Sequence, residues 1–335
     1  MTVAVGFCSG AHVHTELLIE LFGAHDGATI VGLATDNRER DSTIAERHGI
    51  TVRTPEVLFE LADAVCVCST TATHDRWVHA AADAGVAVLC EKPLATEMET
   101  ARSLLAACNE AGVALGMVMP LPFSEPARRA KRIYDDGRLG EPQLLVGTNR
   151  AKLRNRHETG WSADPDAAGG GAVMDHTVHI VDLVRWLTGR EIVSVHAELA
   201  TMHEALAVED VNVLSMALDD GTPFSLDGSW DRPSNWEYWG DATLTICGTD
   251  GELTVDCYGE TLHETRPAGD RPGSESIYAG NEPMAGVVAD FIDAVASERP
   301  PLIDGHDGVR ELAVCVGAYE SARTGGPVSI PTPKH

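Results

Sequence analysis

Lysine is scarce in this chain: four residues (Lys92, Lys131, Lys152, Lys334) stand against twenty-one arginines. Basic charge as a whole is short, with 25 lysines and arginines against 51 acidic residues and a formal net charge of −26. Such a surface repels nucleic-acid phosphates and anionic lipids alike, which argues against both as partners. The acids are spread over the whole length rather than gathered in a tail, as a solvated surface requires. Acid excess with lysine depletion also suggests adaptation to high salt, where screening relieves self-repulsion. The protein is expected to unfold more readily in low than in molar potassium chloride; equal stability in the two would reject this.

Long hydrophobic runs are absent. No segment approaches the roughly eighteen uncharged apolar residues of a membrane span. Met1-Thr2-Val3-Ala4-Val5 enters a strand pattern without the basic flank of a signal peptide, so a cytoplasmic location is expected. None of the eight cysteines forms Cys-x-x-Cys, and most sit inside apolar patterns, as buried reduced thiols do.

At 335 residues the chain can hold two domains with separate cores. Continuous apolar runs at Val3–Cys8, Thr29–Ala34, Ala64–Cys68, Val86–Cys90 and Val113–Val118 read as strands covered on both faces. Helix patterns such as His74–Ala84 and Glu97–Ala111 lie between them, which predicts a parallel sheet with crossover helices over residues 1–120. After Pro120 the texture changes. One helical stretch, Ala127–Asp136, precedes strands at Leu144–Arg150, Ile192–Ala200, Asn212–Leu218, Pro223–Trp230, Ala242–Cys247 and Glu252–Asp256. Helices at Met284–Ser297 and Val309–Arg323 follow. The expected architecture is α/β: an N-terminal doubly wound parallel sheet, then a C-terminal α+β domain over residues 121–335 with a large open, mostly antiparallel sheet.

The glycine fingerprint of a dinucleotide turn is missing, since the first strand runs into Ser9-Gly10-Ala11-His12-Val13-His14. Small residues there still let the backbone approach a pyrophosphate, and a following helix would offer its amides. Asp36 ends the second strand, where a carboxylate can accept hydrogen bonds from ribose hydroxyls or, alternatively, cap a turn. It favours NAD over NADP by repelling a 2′-phosphate, while Arg38, two residues on, pulls the other way. Lys92, in Glu91-Lys92-Pro93, ends the fourth apolar run, at the carboxyl edge where open α/β sheets bind ligands. The alternative is a solvated charge in a turn.

A second segment, Ala168-Gly169-Gly170-Gly171-Ala172-Val173-Met174-Asp175-His176-Thr177-Val178-His179, is a glycine-rich turn opening a helix. At about 100° per residue, Asp175, His179, Asp182 and Trp186 fall on one stripe. A carboxylate one turn before a histidine can orient the imidazole and stabilise its protonated form, which suits a general base. The bland alternative is an acid at a helix start and an ordinary polar-face histidine. His176 falls beside the apolar stripe, where packing or support of the site is expected. Trp161, Trp230, Trp236, Tyr238 and Trp239 could stack on a sugar ring or serve the core.

In order along the chain, the Asp36 strand end, Cys68-Ser69-Thr70 followed by His74, Glu91-Lys92-Pro93, Gly137-Arg138-Leu139-Gly140, Gly169–Asp182, Gly248-Thr249-Asp250-Gly251 and Tyr319-Glu320-Ser321-Ala322-Arg323 together resemble the Gfo/Idh/MocA oxidoreductase family. The resemblance implies a Rossmann domain binding NAD or NADP and a second α/β domain whose open sheet supports homodimers or homotetramers. It implies hydride transfer between nicotinamide and a hydroxyl or carbonyl carbon of a sugar, cyclitol or related polyol. Lys92 would hydrogen-bond the reacting oxygen, and its bond to Pro93 is frequently cis in relatives. His179 would take the hydroxyl proton, with Asp175 orienting it or binding substrate and His176 close by. Ser9, Gly10, Ala11, His12, Asp36, Arg38, Ser69, Thr70, Thr71, His74, Glu91 and Lys92 would line the cofactor site. Two departures stand out: the altered glycine turn, and Pro122-Phe123, where relatives often carry an arginine before the phenylalanine. A non-catalytic nucleotide- or sugar-binding sensor is the alternative that the altered turn keeps open. A metal-dependent variant using His12, His14, Asp175, His176 and His179 is a further alternative; the family chemistry requires no metal, and none is expected.

Overall fold

The computed structural model describes residues 2–153, 160–236, 238–259, 261–266, 273–278 and 280–331. The chain divides into two compact units, the first formed by Met1–Met119, Asp164–Gly169 and Met284–Ala313, the second by Pro120–Ala163, Gly170–Pro283 and Val314–His335.

Six strands build the first unit's sheet: β1 (Val3–Cys8), β2 (Ala28–Ala34), β3 (Val52–Arg53), β4 (Ala64–Val67), β5 (Ala87–Cys90) and β6 (Leu115–Met117). Their order is β3-β2-β1-β4-β5-β6, and every pairing is parallel. β4 and β5 are buried at every position, which is why their sequences are unbroken apolar runs rather than alternating ones. The strand order reverses between β1 and β4, placing a topological switch point at their carboxyl ends. Crossover helices include Thr15–Ala24, Arg38–His48, Pro55–Leu61, His74–Asp83 and Met98–Ala111. Their boundaries follow local chemistry. Asn37 accepts from the Arg40 N–H at one helix start and Thr54 from the Val57 N–H at another, while Gly49 and Gly112 close two helices at φ 66° and 67°.

The second unit has a seven-stranded sheet of β7 (Pro142–Thr148), β8 (Ile192–Ala200), β9 (Val211–Leu218), β10 (Pro223–Asp227), β11 (Thr243–Gly248), β12 (Glu252–Asp256) and β15 (Val328–Ser329), with β13 (Thr261–Arg266) and β14 (Gly273–Tyr278) paired separately. The order is β12-β11-β7-β10-β9-β8-β15, antiparallel throughout except for the parallel β7–β10 pair. Burial alternates along β9, β10 and β11, so one face is packed and the other open. The packed face receives the helix Val178–Thr188. Ile180 of that helix sits so close to β7 that a Cβ on Gly147 would lie 2.7 Å from its Cγ2. All eight cysteines are free and seven are buried; burial pushes the Cys8, Cys66 and Cys90 thiols up, which keeps them unreactive. Among the described residues no helix is long and apolar enough to cross a membrane.

Candidate functional site

The strand ends of the first unit gather most of the residues singled out above. Ser9 follows β1, Asp36 follows β2, Ser69 follows β4, and Glu91-Lys92 follows β5. These four strands are consecutive in the sheet, so residues scattered over more than eighty positions of sequence meet along one edge.

The turn after β1 is built without the usual glycines, by a different device. Ser9 adopts a left-handed backbone at φ 68°, unusual for a residue with a side chain. Its hydroxyl is bound from three sides: Oγ donates to Asp36 Oδ1 (2.9 Å) and accepts from the Ala11 N–H (3.2 Å) and from Arg40 Nη2 (3.0 Å). Gly10 is required by its neighbours, since a Cβ would come within 2.7 Å of Asp41 Oδ1 and 2.6 Å of Ile44 Cδ1. The fully buried Asp41 accepts from the Gly10 N–H (3.1 Å), Thr35 Oγ1 (2.6 Å) and Arg40 Nε (2.6 Å), tying the turn to the helix after β2. The amides of His12 and His14 go to Cys68 O (2.9 Å) and His12 Nδ1 (3.3 Å). The amides of Gly10, Ala11, His12 and His14 thus have acceptors inside the chain.

At the β2 end, Asp36 is contacted by Arg40 and, at 3.1 Å, by Arg76. Its side chain keeps only 15% exposure, whereas Arg38 is exposed at the start of its helix. The guanidinium groups beside Asp36 are therefore those of Arg40 and Arg76, which the sequence reading did not single out. A carboxylate held by two cations and a serine hydroxyl can accept hydrogen bonds from ribose hydroxyls of the kind found at the adenosine end of a dinucleotide.

Ser69 and His74 are fully buried and Thr71 is 3% exposed. They brace the loop: Ser69 Oγ donates to Thr70 O (3.1 Å), Thr70 and Thr73 hydroxyls pair at 3.0 Å, and His74 Nδ1 meets Leu94 O at 3.2 Å. Burial, outweighing that contact, holds the His74 imidazole below its ordinary pKa. Lys92 is 4% exposed, its backbone N–H donates to Glu91 Oε2 at 3.3 Å, and its bond to Pro93 is cis, as the resemblance implies.

Glu91 is fully buried, with the Nδ1 atoms of His12 and His14 at 3.1 and 3.0 Å from its Oε1. Burial pushes the Glu91 carboxyl up, but the two imidazoles overcome this and hold it well below the usual carboxylate range. Burial lowers the His12 imidazole to about 4 against the opposing pull of Glu91.

In the second unit Val173–Thr177 forms a π-helical turn leading into the helix Val178–Thr188. A π turn changes the angular step, so the single stripe expected from 100° spacing does not continue through Asp175. Asp175 and His179 are half-buried. His176 is 3% exposed, with Nδ1 at 3.2 Å from Gly228 O, Nε2 at 3.5 Å from Asp175 Oδ2, and its ring edge-on to Trp230. Trp230, 2% exposed, belongs to the core cluster with Ala172 and Val208.

Beneath this turn lies Glu209, which the sequence reading also passed over. Its carboxylate accepts from the N–H groups of Gly171 (3.2 Å) and Val173 (3.0 Å) and from Tyr319 Oη (2.8 Å). Its backbone carbonyl accepts from Ala172 (3.0 Å), and a Cβ on Gly171 would sit 2.1 Å from that oxygen. Burial holds the Glu209 carboxyl above its ordinary value in spite of these donors. Burial, with Glu209 adding to it, also raises the Tyr319 phenol.

Residues 3–118 match a family model described as the Gfo/Idh/MocA oxidoreductase family, NAD-binding Rossmann fold, and residues 127–254 match the Gfo/Idh/MocA C-terminal domain. Among curated relatives, a D-apiose dehydrogenase of Paraburkholderia graminis is 26% identical over 98% of this chain and 88% of its own. An inositol 2-dehydrogenase of Rhizobium meliloti is 26% identical over 98% of this chain and all of its own. Among solved structures, GenD2 from gentamicin A biosynthesis, in complex with NAD, superposes with a TM-score of 0.88 at 26% identity, covering 99% of this chain and 97% of that one.

Proposed function

Because the chain belongs to the Gfo/Idh/MocA oxidoreductase family, we propose that it moves a hydride between NAD(P) and a hydroxyl or carbonyl carbon of a sugar, cyclitol or related polyol. The observation that carries this reading is the alignment of Ser9, Asp36, Ser69 and Glu91-Lys92 along the carboxyl ends of four adjacent parallel strands at the switch point. Nicotinamide supplies the two-electron hydride chemistry. The side chains manage the proton and the orientation: Lys92 hydrogen-bonds the reacting oxygen, His179 takes the hydroxyl proton in the oxidative direction, and Asp175 orients that imidazole. His176, packed between Gly228 and Trp230, supports Asp175.

NAD is the preferred dinucleotide in this reading. A 2′-phosphate would have to share Arg40 and Arg76 with the Asp36 carboxylate, a like-charge encounter. The open sheet face carries Leu144, Val146 and Val213, 38%, 39% and 53% exposed, and serves pairing of like chains.

The test is a dehydrogenase screen on a broad sugar and polyol panel in molar potassium chloride, with NAD and NADP in parallel. Turnover is expected, with kcat/KM about tenfold or more higher for NAD, or roughly 1.4 kcal/mol. The second reading, a non-catalytic binding protein, is favoured by the internally satisfied amides of Gly10, Ala11 and His12. Tight dinucleotide binding without turnover on any panel member would establish that reading instead.

A further inference from the structure

His12, His14 and Glu91 form a cluster to which the proposed reaction assigns no proton or hydride step. One ligand atom from each lies within 4.8 Å of the others, and the two imidazole rings pack at 4.6 Å. The backbone N–H of His14 donates to His12 Nδ1 at 3.3 Å. His12 Nδ1 also lies 3.1 Å from Glu91 Oε1, and a metal bound there would take the lone pair that now accepts the His14 N–H. With Glu91 fully buried and His12 8% exposed, water competes little for these ligand atoms. Nitrogen and oxygen ligands around a tetrahedral zinc stand about 3.3 Å apart. The spacings of 3.0 and 3.1 Å to Glu91 need only small adjustment to reach that. Two imidazoles and one carboxylate suit zinc and its first-row neighbours, whereas magnesium and calcium take oxygen ligands.

We propose that His12, His14 and Glu91 bind a divalent transition metal of the zinc class, with a coordination position left open on the His14 side for a phosphate oxygen of the dinucleotide. The His14 side chain is 29% exposed, giving the ion an entry path. The phosphate half rests on the cofactor reading; the metal half stands without it. The two halves fit together because the amides of Gly10, Ala11 and His12 are already satisfied within the chain. A bound cation would supply the positive charge that outward-facing amides supply in a glycine-rich turn.

Calorimetric titration of the chelator-stripped full chain with zinc, alongside cobalt(II) absorption, tests the metal half. One equivalent is expected, weakened about a hundredfold by His14→Ala or Glu91→Gln and unchanged by His306→Ala at an exposed histidine. Should Glu91→Gln lose its native circular dichroism, His14→Ala at the partly exposed ligand decides. Absence of stoichiometric zinc, or wild-type affinity in His14→Ala, overturns the site. Dinucleotide binding is then compared between zinc-loaded and chelated protein, with about tenfold tighter binding expected in the former. Equal affinity overturns the phosphate half. No dinucleotide binding in either state overturns the cofactor reading, and the zinc titration still judges the metal site.

Discussion

Lys92→Ala is expected to lower nicotinamide-linked turnover about a thousandfold while changing dinucleotide affinity by less than about threefold. The side chain is only 4% exposed, so its ammonium is not a generic surface charge, and the neighbouring Glu91 carboxylate is engaged by His12 and His14. An ammonium at the carboxyl end of β5 can donate to an alcohol or carbonyl oxygen and stabilise the charge that develops there. An alanine leaves that oxygen without a donor, which raises the barrier without removing the surfaces that hold the dinucleotide. Lys92→Met, which keeps the aliphatic stem and deletes the charge, should lose activity to the same degree and so separates packing from proton chemistry. Steady-state kinetics and dinucleotide titration of both variants make the measurement. Turnover within about tenfold of the wild type would remove Lys92 from the reaction.

The first sheet was largely legible in sequence for a physical reason. Strands covered on both faces are written as uninterrupted apolar runs, and β1 is the anticipated Val3–Cys8 to the residue. β8 and β12 likewise keep their anticipated limits, Ile192–Ala200 and Glu252–Asp256. β3, two residues long, carries too little pattern to read. The parallel β7–β10 pair is a matter of strand order, which local periodicity does not encode.

The candidate site was legible residue by residue but not in its connections. Asp36 and Glu91 stand out because each closes a strand. Arg40, Arg76 and Asp41 look like ordinary charges until the fold brings them to Asp36 and Gly10, and the His12–His14–Glu91 cluster joins residues 77 or more positions apart. The π turn at Val173–Thr177 escaped because a hydrophobic stripe assumes a regular helical step, and Glu209 because its partners are mostly backbone amides.

Glu209→Ala is the second substitution with a large expected effect, and its signature differs from that of Lys92→Ala. The glycine-rich entry to the π turn is pressed against this residue so closely that Gly171 has no room for a side chain. Its carboxylate takes the N–H groups of Gly171 and Val173 and the Tyr319 hydroxyl. Alanine at 209 leaves the Val173 N–H and the Tyr319 hydroxyl without that acceptor, while the Gly171 N–H keeps Tyr319 Oη at 3.2 Å; at about 1–3 kcal/mol for each buried unpaired group, partly recovered by water, the loss should be of order 3 kcal/mol. Asp175 lies two residues beyond Val173, so a strut failure should also displace the carboxylate assigned to orient His179. Misplacement by about 1 Å can cost about a hundredfold in rate. Thermal stability and kcat should therefore fall together, whereas Lys92→Ala should spare the melting temperature. Glu209→Gln, which keeps the side chain's shape but replaces one acceptor oxygen with an amide donor, should fall between alanine and the wild type in both. Thermal melts with steady-state kinetics on the three proteins provide the test; wild-type melting by Glu209→Ala would show that the π turn holds its shape without the strut.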